Sequence, residues 1–594
     1  QDGASISSSG NLSSLVEDAK TAVDLSNISS AMASPPINLS QVIFNKNHIG
    51  INIANSNTSV NNIPIGLTKC VFTCRNLPFT FNTSTPTWPQ VGTIAPAELR
   101  YAAPGATTGI AAPYMLGSAS FVPGIKIPYA NQSSYAGITI SSIAAQNGMP
   151  TSAGVEFGHT YGGNWNDFNL FDNMGVGIDV QDASLTTMNN VFQNGQSNSN
   201  LPGFSGTGIN QSAGVMNARL DLRPGTAVQQ FIDFGNRFWD NYHGVVGHNL
   251  LDFFCDYAVF RSNKTVPTGL VPGYEGINIT TSTFNHSIRY SQFNNLQYGI
   301  TLNNVVGTYD VGSGMTPGIY AAGLKIEQNY FGPQVLSNAP QGNATFGDAI
   351  IINGPMTTWP YNMGPPNPFN LASITSNGKV ISNKINRAFR GISLYSMYEF
   401  PMDISANEIF VVKDGQKGFG IKAEASQGNL TITNNNVSSD WSNTGNTLMS
   451  LIYCIDNQTN PMLGINSPIV SCNTVFDGYN GFEFQGDNQY STWFANIMNT
   501  NRYGLTLSDN PTGSISGGII GPQQGPGFPG YNQWVGGGWG SSQDHTYYVN
   551  NFGWTLPTSP VGSPLYVRTW PGSPEDPTSN QSGGFGSPYV SGIS

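Results

Sequence analysis

Apolar and polar residues alternate over very short stretches of this chain, and one four-residue pattern recurs: glycine, an apolar residue, any residue, an apolar residue. It appears as Gly50-Ile51-Asn52-Ile53, Gly137-Ile138-Thr139-Ile140, Gly154-Val155-Glu156-Phe157 and Gly177-Ile178-Asp179-Val180. It returns at Gly276, Gly299, Gly323, Gly391, Gly481 and Gly504, with looser copies at Gly208, Gly244, Gly347 and Gly420. Period-two alternation predicts a strand whose two apolar residues share one side and whose middle residue faces solvent. So short a strand cannot bury itself, and successive copies must stack into a common core. The separations 154 to 177, 276 to 299 and 481 to 504 are each 23 residues, and 299 to 323 and 323 to 347 are 24, with longer gaps elsewhere, which predicts that one coil of the solenoid has about this length.

A second element precedes the first at a fixed offset. Asn169, Asn236, Asn383, Asn473 and Asn496 each lie eight residues before a strand glycine and two before an apolar residue, and Ser291 keeps the same offset. Asn accommodates left-handed backbone in a tight bend, and stacked Asn side chains can bond to the same position one coil away. Gly then admits the chain to the next strand without a Cβ clash. The predicted core is a set of Phe, Ile, Val and Leu columns.

These two linked elements resemble the right-handed parallel β-helix family, the fold of pectate lyases and of many bacterial surface proteins. The resemblance implies an all-β solenoid over residues 41–535, with an insertion near 77–134, where Pro86-Thr-Trp-Pro89 departs from the pattern. Residues 1–40 are expected to form an N-terminal cap, with a short helix over Leu12 to Ala22 covering the first coil. Residues 536–594 read as a Gly, Pro and aromatic rich C-terminal extension. The layout is similar to extracellular β-helix proteins of Bacteroidota, and a chain that begins at Gln1 rather than Met fits a secreted bacterial protein after removal of its export signal.

Composition narrows the partners. Charged residues are only 9 % of the 594, against roughly 25 % in a typical soluble protein. Asn, Ser, Thr and Gly must therefore keep the surface wet. A formal net charge of −11 with 22 Lys and Arg leaves no basic stripe for nucleic acid. No apolar run reaches the roughly 18 residues of a transmembrane helix. The partners expected are other copies of the chain or cell-surface polysaccharide. Cys70, Cys74, Cys255, Cys454 and Cys472 are too few and too odd in number for a disulfide framework; Cys70 with Cys74, or Cys454 with Cys472 on neighbouring coils, remain open as pairs, and the rest read as buried hydrophobes.

Candidate chemistry is sparse. If the strands of Glu156 and Asp179 are successive coils, the two carboxylates lie side by side, with His159 and Asp182 just beyond. Such a pair suits acid and nucleophile roles in glycoside cleavage, or Ca2+ binding, the one cofactor the sequence admits. The plainer reading is a solvated outer face. The paired Asp and Gly-His-Gly of polygalacturonases are missing, and Arg387 and Arg390 imitate a lyase base only weakly. His243 and His248 have no third ligand nearby in sequence. Trp359, Tyr361, Trp534 and Trp539 are candidate sugar-stacking aromatics, or seals for the core. The function expected is a secreted, non-catalytic surface protein with a structural or adhesive role, self-association into fibres included; the alternatives are a polysaccharide lyase or glycoside hydrolase, and a carbohydrate-binding surface protein.

Overall fold

The computed structural model describes residues 4–7, 14–17, 19–26, 29–30, 37–54, 57–58, 62–74, 135–145, 154–158, 168–195, 205–214, 218–223, 235–262, 275–305, 324–333, 346–354, 378–397, 402–412, 418–426, 430–440, 449–457, 468–488, 491–501, 503–508, 519–520, 532–535 and 545–549. Among these there is no helix, and the strand pairings are parallel. The chain divides into two compact units, Gln1–Ile300 and Thr301–Ser594. Each is a parallel β-helix with three strand faces per coil.

In the first unit one coil runs through Ile37–Ser40 on the first face, Val42–Asn45 on the second and Ile49–Ala54 on the third. The next begins at Asn62–Thr68, and a later one repeats the order as Gly154–Phe157, Asn169–Asp172 and Val176–Gln181. Each face pairs only with its own counterpart in the neighbouring coil. On the third face, Ile51, Ile138, Ile178, Ile209, Val245 and Ile277 lie in one register, all fully buried. The copies of the glycine pattern at Gly50, Gly137, Gly177, Gly208, Gly244 and Gly276 mark this face, whereas the copy at Gly154 lies on the first.

The second face carries a ladder of seven Phe residues: 44, 72, 171, 192, 238, 260 and 293. Consecutive centroids are 4.7–4.9 Å apart with the rings within 15° of parallel. That distance is the spacing of hydrogen-bonded strands, so the backbone pitch imposes face-to-face stacking on rings that left alone favour offset or edge-on contact. The strand glycines serve these rings. A Cβ at Gly50, Gly137, Gly177, Gly208, Gly244 or Gly276 would lie 2.5–2.8 Å from the phenyl ring of the next coil. The glycine is required by close approach, not by positive φ.

In the second unit the Phe position is held by Phe331, Ile385, Ile409, Val437, Val475 and Met498, and the asparagines dominate instead. Asn329, Asn383, Asn407, Asn435, Asn473, Asn496 and Asn532 form an unbroken ladder at the corner between the first and second faces. Each Oδ1 from Asn383 onward accepts the backbone N–H of the preceding Asn at 3.0–3.1 Å and its Nδ2–H at 2.9–3.1 Å. From Asn383 to Asn496, Nδ2 also reaches a carbonyl of the preceding coil, as in Asn383 to Ile326 at 2.8 Å. The left-handed residue is the one before each Asn: Gln328, Ser382, Ala406, Asn434, Cys472 and Ala495 have φ of 55–57°. The Asn side chain supplies the ladder and its predecessor supplies the bend.

Three expectations change. Residues 12–22 hold no helix among those described; Ser14–Glu17 and Thr21–Ser26 are strands paired with Val42–Asn45 and Ile49–Ala54, because Val23 and Leu25 alternate in register with Ile51 and Ile53. Strand pairing also passes position 535, with His545–Val549 against Tyr503–Ser508. Coil length is not a constant 23 to 24: successive ladder asparagines are 21 and 46 residues apart in the first unit, and 23 to 54 in the second. The insertion at 77–134 lies outside the described residues.

Two substitutions test these ladders. Phe192→Ala is expected to cost about 3–5 kcal/mol, as truncation of a buried ring does. Asn435→Leu strands the backbone and side-chain donors of Asn407 and is expected to cost about 1–3 kcal/mol for each. Denaturant unfolding of the two variants measures both.

Candidate functional site

Asp179 occupies the middle of its third-face strand, and its register neighbours are Thr139 in the coil before and Asn210 in the coil after. It was expected to face solvent but is only 4 % exposed. The Tyr135 hydroxyl donates to Oδ2, Asn210 Nδ2 donates to Oδ1 at 2.7 Å, and Gln181 Nε2 lies 3.5 Å from Oδ2. Burial first, and then the adjacent carboxylate, push the Tyr135 phenol well above its usual pKa, so it remains a donor throughout the ordinary pH range. The same outer column continues with Thr139 Oγ1 donating to Asn52 Oδ1 at 2.8 Å, and Asn52 Nδ2 to Asp24 Oδ1 at 3.0 Å. This is a hydrogen-bonded polar row running along the coil axis.

Glu156 is not beside Asp179. Its strand belongs to the first face, where its neighbours are Pro64 and Thr186. The 23-residue interval between Gly154 and Gly177 spans two faces of one coil, and the expected carboxylate pair is not formed. Asp182 follows the Asp179 strand at a left-handed bend with φ 50°, is exposed, and accepts the Gly214 N–H at 2.6 Å. His159, Trp359, Tyr361 and Trp539 lie outside the described residues, and of Trp534 only the backbone, in the strand Gln533–Val535, is described.

The other sequence candidates find local roles. Arg390 Nη1 pairs with Asp348 Oδ2 at 3.1 Å, and Arg387 sits at a left-handed kink with φ 57° where the register of Lys384–Tyr395 shifts. His243 and His248 share one strand, but His243 turns to Glu275 of the next coil, with Nδ1 3.0 Å from Oε2, while His248 is exposed. Asn278 Nδ2 donates to the same Glu275 oxygen at 2.9 Å. Burial is the largest influence on the Glu275 carboxyl and acts upward, yet the two hydrogen bonds and the His243 charge together hold it below its usual value. Its contribution to stability is thus complete above the ordinary glutamate range and fades as pH falls through the lowered value. Among the described residues no three His, Cys, Asp or Glu side chains lie together as a metal site would require.

Several buried carboxylates escaped sequence reasoning: Asp172, Asp252 and Asp256 lie outside the glycine pattern, and Glu483, inside it, was expected to face solvent. Asp172, fully buried, accepts from Thr73 Oγ1 at 2.9 Å, Gln193 Nε2 at 2.9 Å and Asn194 Nδ2 at 3.0 Å. Asp252 and Asp256 pair with Arg219 and Arg289, each at 2.7 Å. In the second unit Glu483 is 5 % exposed and accepts from the Ser450 hydroxyl and from Asn480 Nδ2 at 3.2 Å. Nearby, Lys422 Nζ contacts Glu424 at 2.6 Å and lies 4.7 Å above the Tyr395 ring. All five cysteines are free, so neither disulfide pair is formed. Compared with protein-family models, curated proteins and solved structures, the chain matches none.

Burial pushes the Cys70 thiol up to about 11 and Cys454 to about 12, and Cys255 moves the same way. Thiolate is the reactive form, so these sites are inert near neutrality. Thiol titration of the native protein at pH 8 is expected to modify Cys472, the exposed one, and to reach the other four only after denaturation.

Proposed function

We propose that this chain is a secreted, non-catalytic β-helix surface protein, whose coil serves a structural or adhesive role through contact with other copies of itself or with surface polysaccharide. One observation carries the reading: the ladders that hold the coil together use the same side chain at the same place through seven successive coils, Phe in one unit and Asn in the other. Such repetition favours length and rigidity over a single specialised site. The resemblance to bacterial β-helix surface proteins points the same way. So does the fate of the acidic candidates: Asp179 is engaged by three donors, and Glu156 stands on another face.

The alternative of a polysaccharide lyase or hydrolase is open to direct trial. The full chain is incubated with acidic and neutral polysaccharides and assayed for new reducing ends and unsaturated uronate absorbance. No turnover is expected, whereas ordered polymers in negative-stain images, or retention on a polysaccharide column, are. Turnover that is lost on Glu156→Gln or Asp179→Asn would overturn the proposal.

A further inference from the structure

The corner ladder of the first unit has a gap. At the position held by Asn in the second unit, successive coils place Cys70, Asn169, Asn190, Asn236, Ala258 and Ser291. Asn190 and Asn236 bond as the later ladder does, with Asn236 Oδ1 accepting the Asn190 N–H at 3.2 Å and its Nδ2–H at 3.0 Å. Ser291 performs the acceptor half, its Oγ taking the Ala258 N–H at 3.1 Å. Ala258 offers its neighbour in the Asn236 coil no side-chain acceptor at all.

A cluster of charge lies across these same coils. Arg219, in the Asn236 coil, directs Nε and Nη2 at Asp252 Oδ2 of the Ala258 coil, 2.9 and 2.7 Å away. Arg223 is forked onto Asp221 at 2.9 and 2.6 Å, and its guanidinium lies 4.0 Å above the Phe254 ring, which belongs to the Ala258 coil. One coil further, Arg289 pairs with Asp256, its register partner, and Tyr257 stacks on Tyr290 with centroids 5.0 Å apart. Those tyrosines hold the left-handed position immediately before Ala258 and Ser291, with φ of 59° and 53°.

We infer that this arginine, carboxylate and aromatic cluster is a staple that replaces the asparagine ladder where Ala258 interrupts it, and that it fixes the register of the coils from Ala218 to Arg289. The Arg219–Asp252, Arg223–Phe254, Arg289–Asp256 and Tyr257–Tyr290 contacts each join the Ala258 coil to a neighbour that the missing amide would have bonded, while the Arg223–Asp221 fork, within one coil, holds Arg223 in place. Fixing alignment is the role to which such partly buried pairs are suited, since desolvation offsets much of their Coulomb gain. At Asp256 burial outweighs the pull of Arg289, and the carboxyl is raised above its usual value.

The test is a rescue measured by amide hydrogen exchange over residues 243–262 of the full chain. Arg219→Gln with Arg223→Gln is expected to lower protection there at least tenfold and to leave the strands from 402 to 439 unchanged. Adding Ala258→Asn to that variant is expected to restore most of it, and Ala258→Asn alone to keep or raise protection. Loss without rescue, no loss at all, or a drop caused by Ala258→Asn alone would each overturn the inference; if the double arginine variant fails to fold, the single Ala258→Asn measurement still decides.

Discussion

Everything in this fold depends on satisfying the backbone at the corner between the first and second faces. The strands on either side bond laterally to neighbouring coils, and the Asn carbonyl accepts a backbone N–H of the next coil, but the Asn N–H at the bend is met by the side chain of the next Asn. Buried and unmatched, such groups cost about as much as a lost hydrogen bond each. The solution is a two-residue unit: one residue in left-handed conformation to turn the chain, then an amide side chain that gives and receives along the axis. Because Asn bonds to Asn, the corner of one coil is completed only by the next. Register follows from the same bond, since a slip of one residue would remove the acceptor and also turn each strand's apolar residues outward.

The two units meet this requirement with different emphasis. The first invests in the Phe ladder and in glycines that admit its rings, and tolerates Cys70, Ala258 and Ser291 at the corner. The second keeps the asparagine ladder complete and lets Ile, Val and Met replace the rings. Gly420 shows the exchange: its missing Cβ would lie 2.1 Å from Val437 Cγ1, so the glycine still clears space, now for an aliphatic branch. Stacked rings contribute non-directional burial and amide ladders contribute directional bonds, so either one can be complete while the other lapses.

That balance explains which features were legible in the chain. Gly, Asn and their eight-residue offset are constrained by backbone geometry and were readable, and with them the solenoid. Coil length was not, because the segments between faces do not enter the ladders and tolerate insertions at small entropic cost. Gly154 to Gly177 looked like one coil for this reason, and the pairing of Glu156 with Asp179 rested on that interval alone. The left-handed residue was misplaced by one because Asn is the commoner occupant of such conformations, whereas here its side chain is needed for the ladder and Ser382, Ala406 and Cys472 take the bend. Leu15 and Val23 sit in strands because pairing with the next coil overrides local helical pattern.

The outer faces show why a scan for acidic residues could not find a site. In a chain that is 9 % charged, Asp172, Asp179, Asp252, Asp256 and Glu483 are all nearly buried, and each accepts a hydrogen bond from a neighbouring coil. A carboxylate with two oxygens can bridge a coil above and a coil below, as Asp172 does between Thr73 and Gln193. It thus performs on the flanks what Asn performs at the corner. A charged acceptor bonds more strongly than an amide but resists desolvation more, so it is placed where several donors or an arginine converge. Carboxylates committed in this way are held in one orientation by their neighbours, which makes them markers of coil alignment.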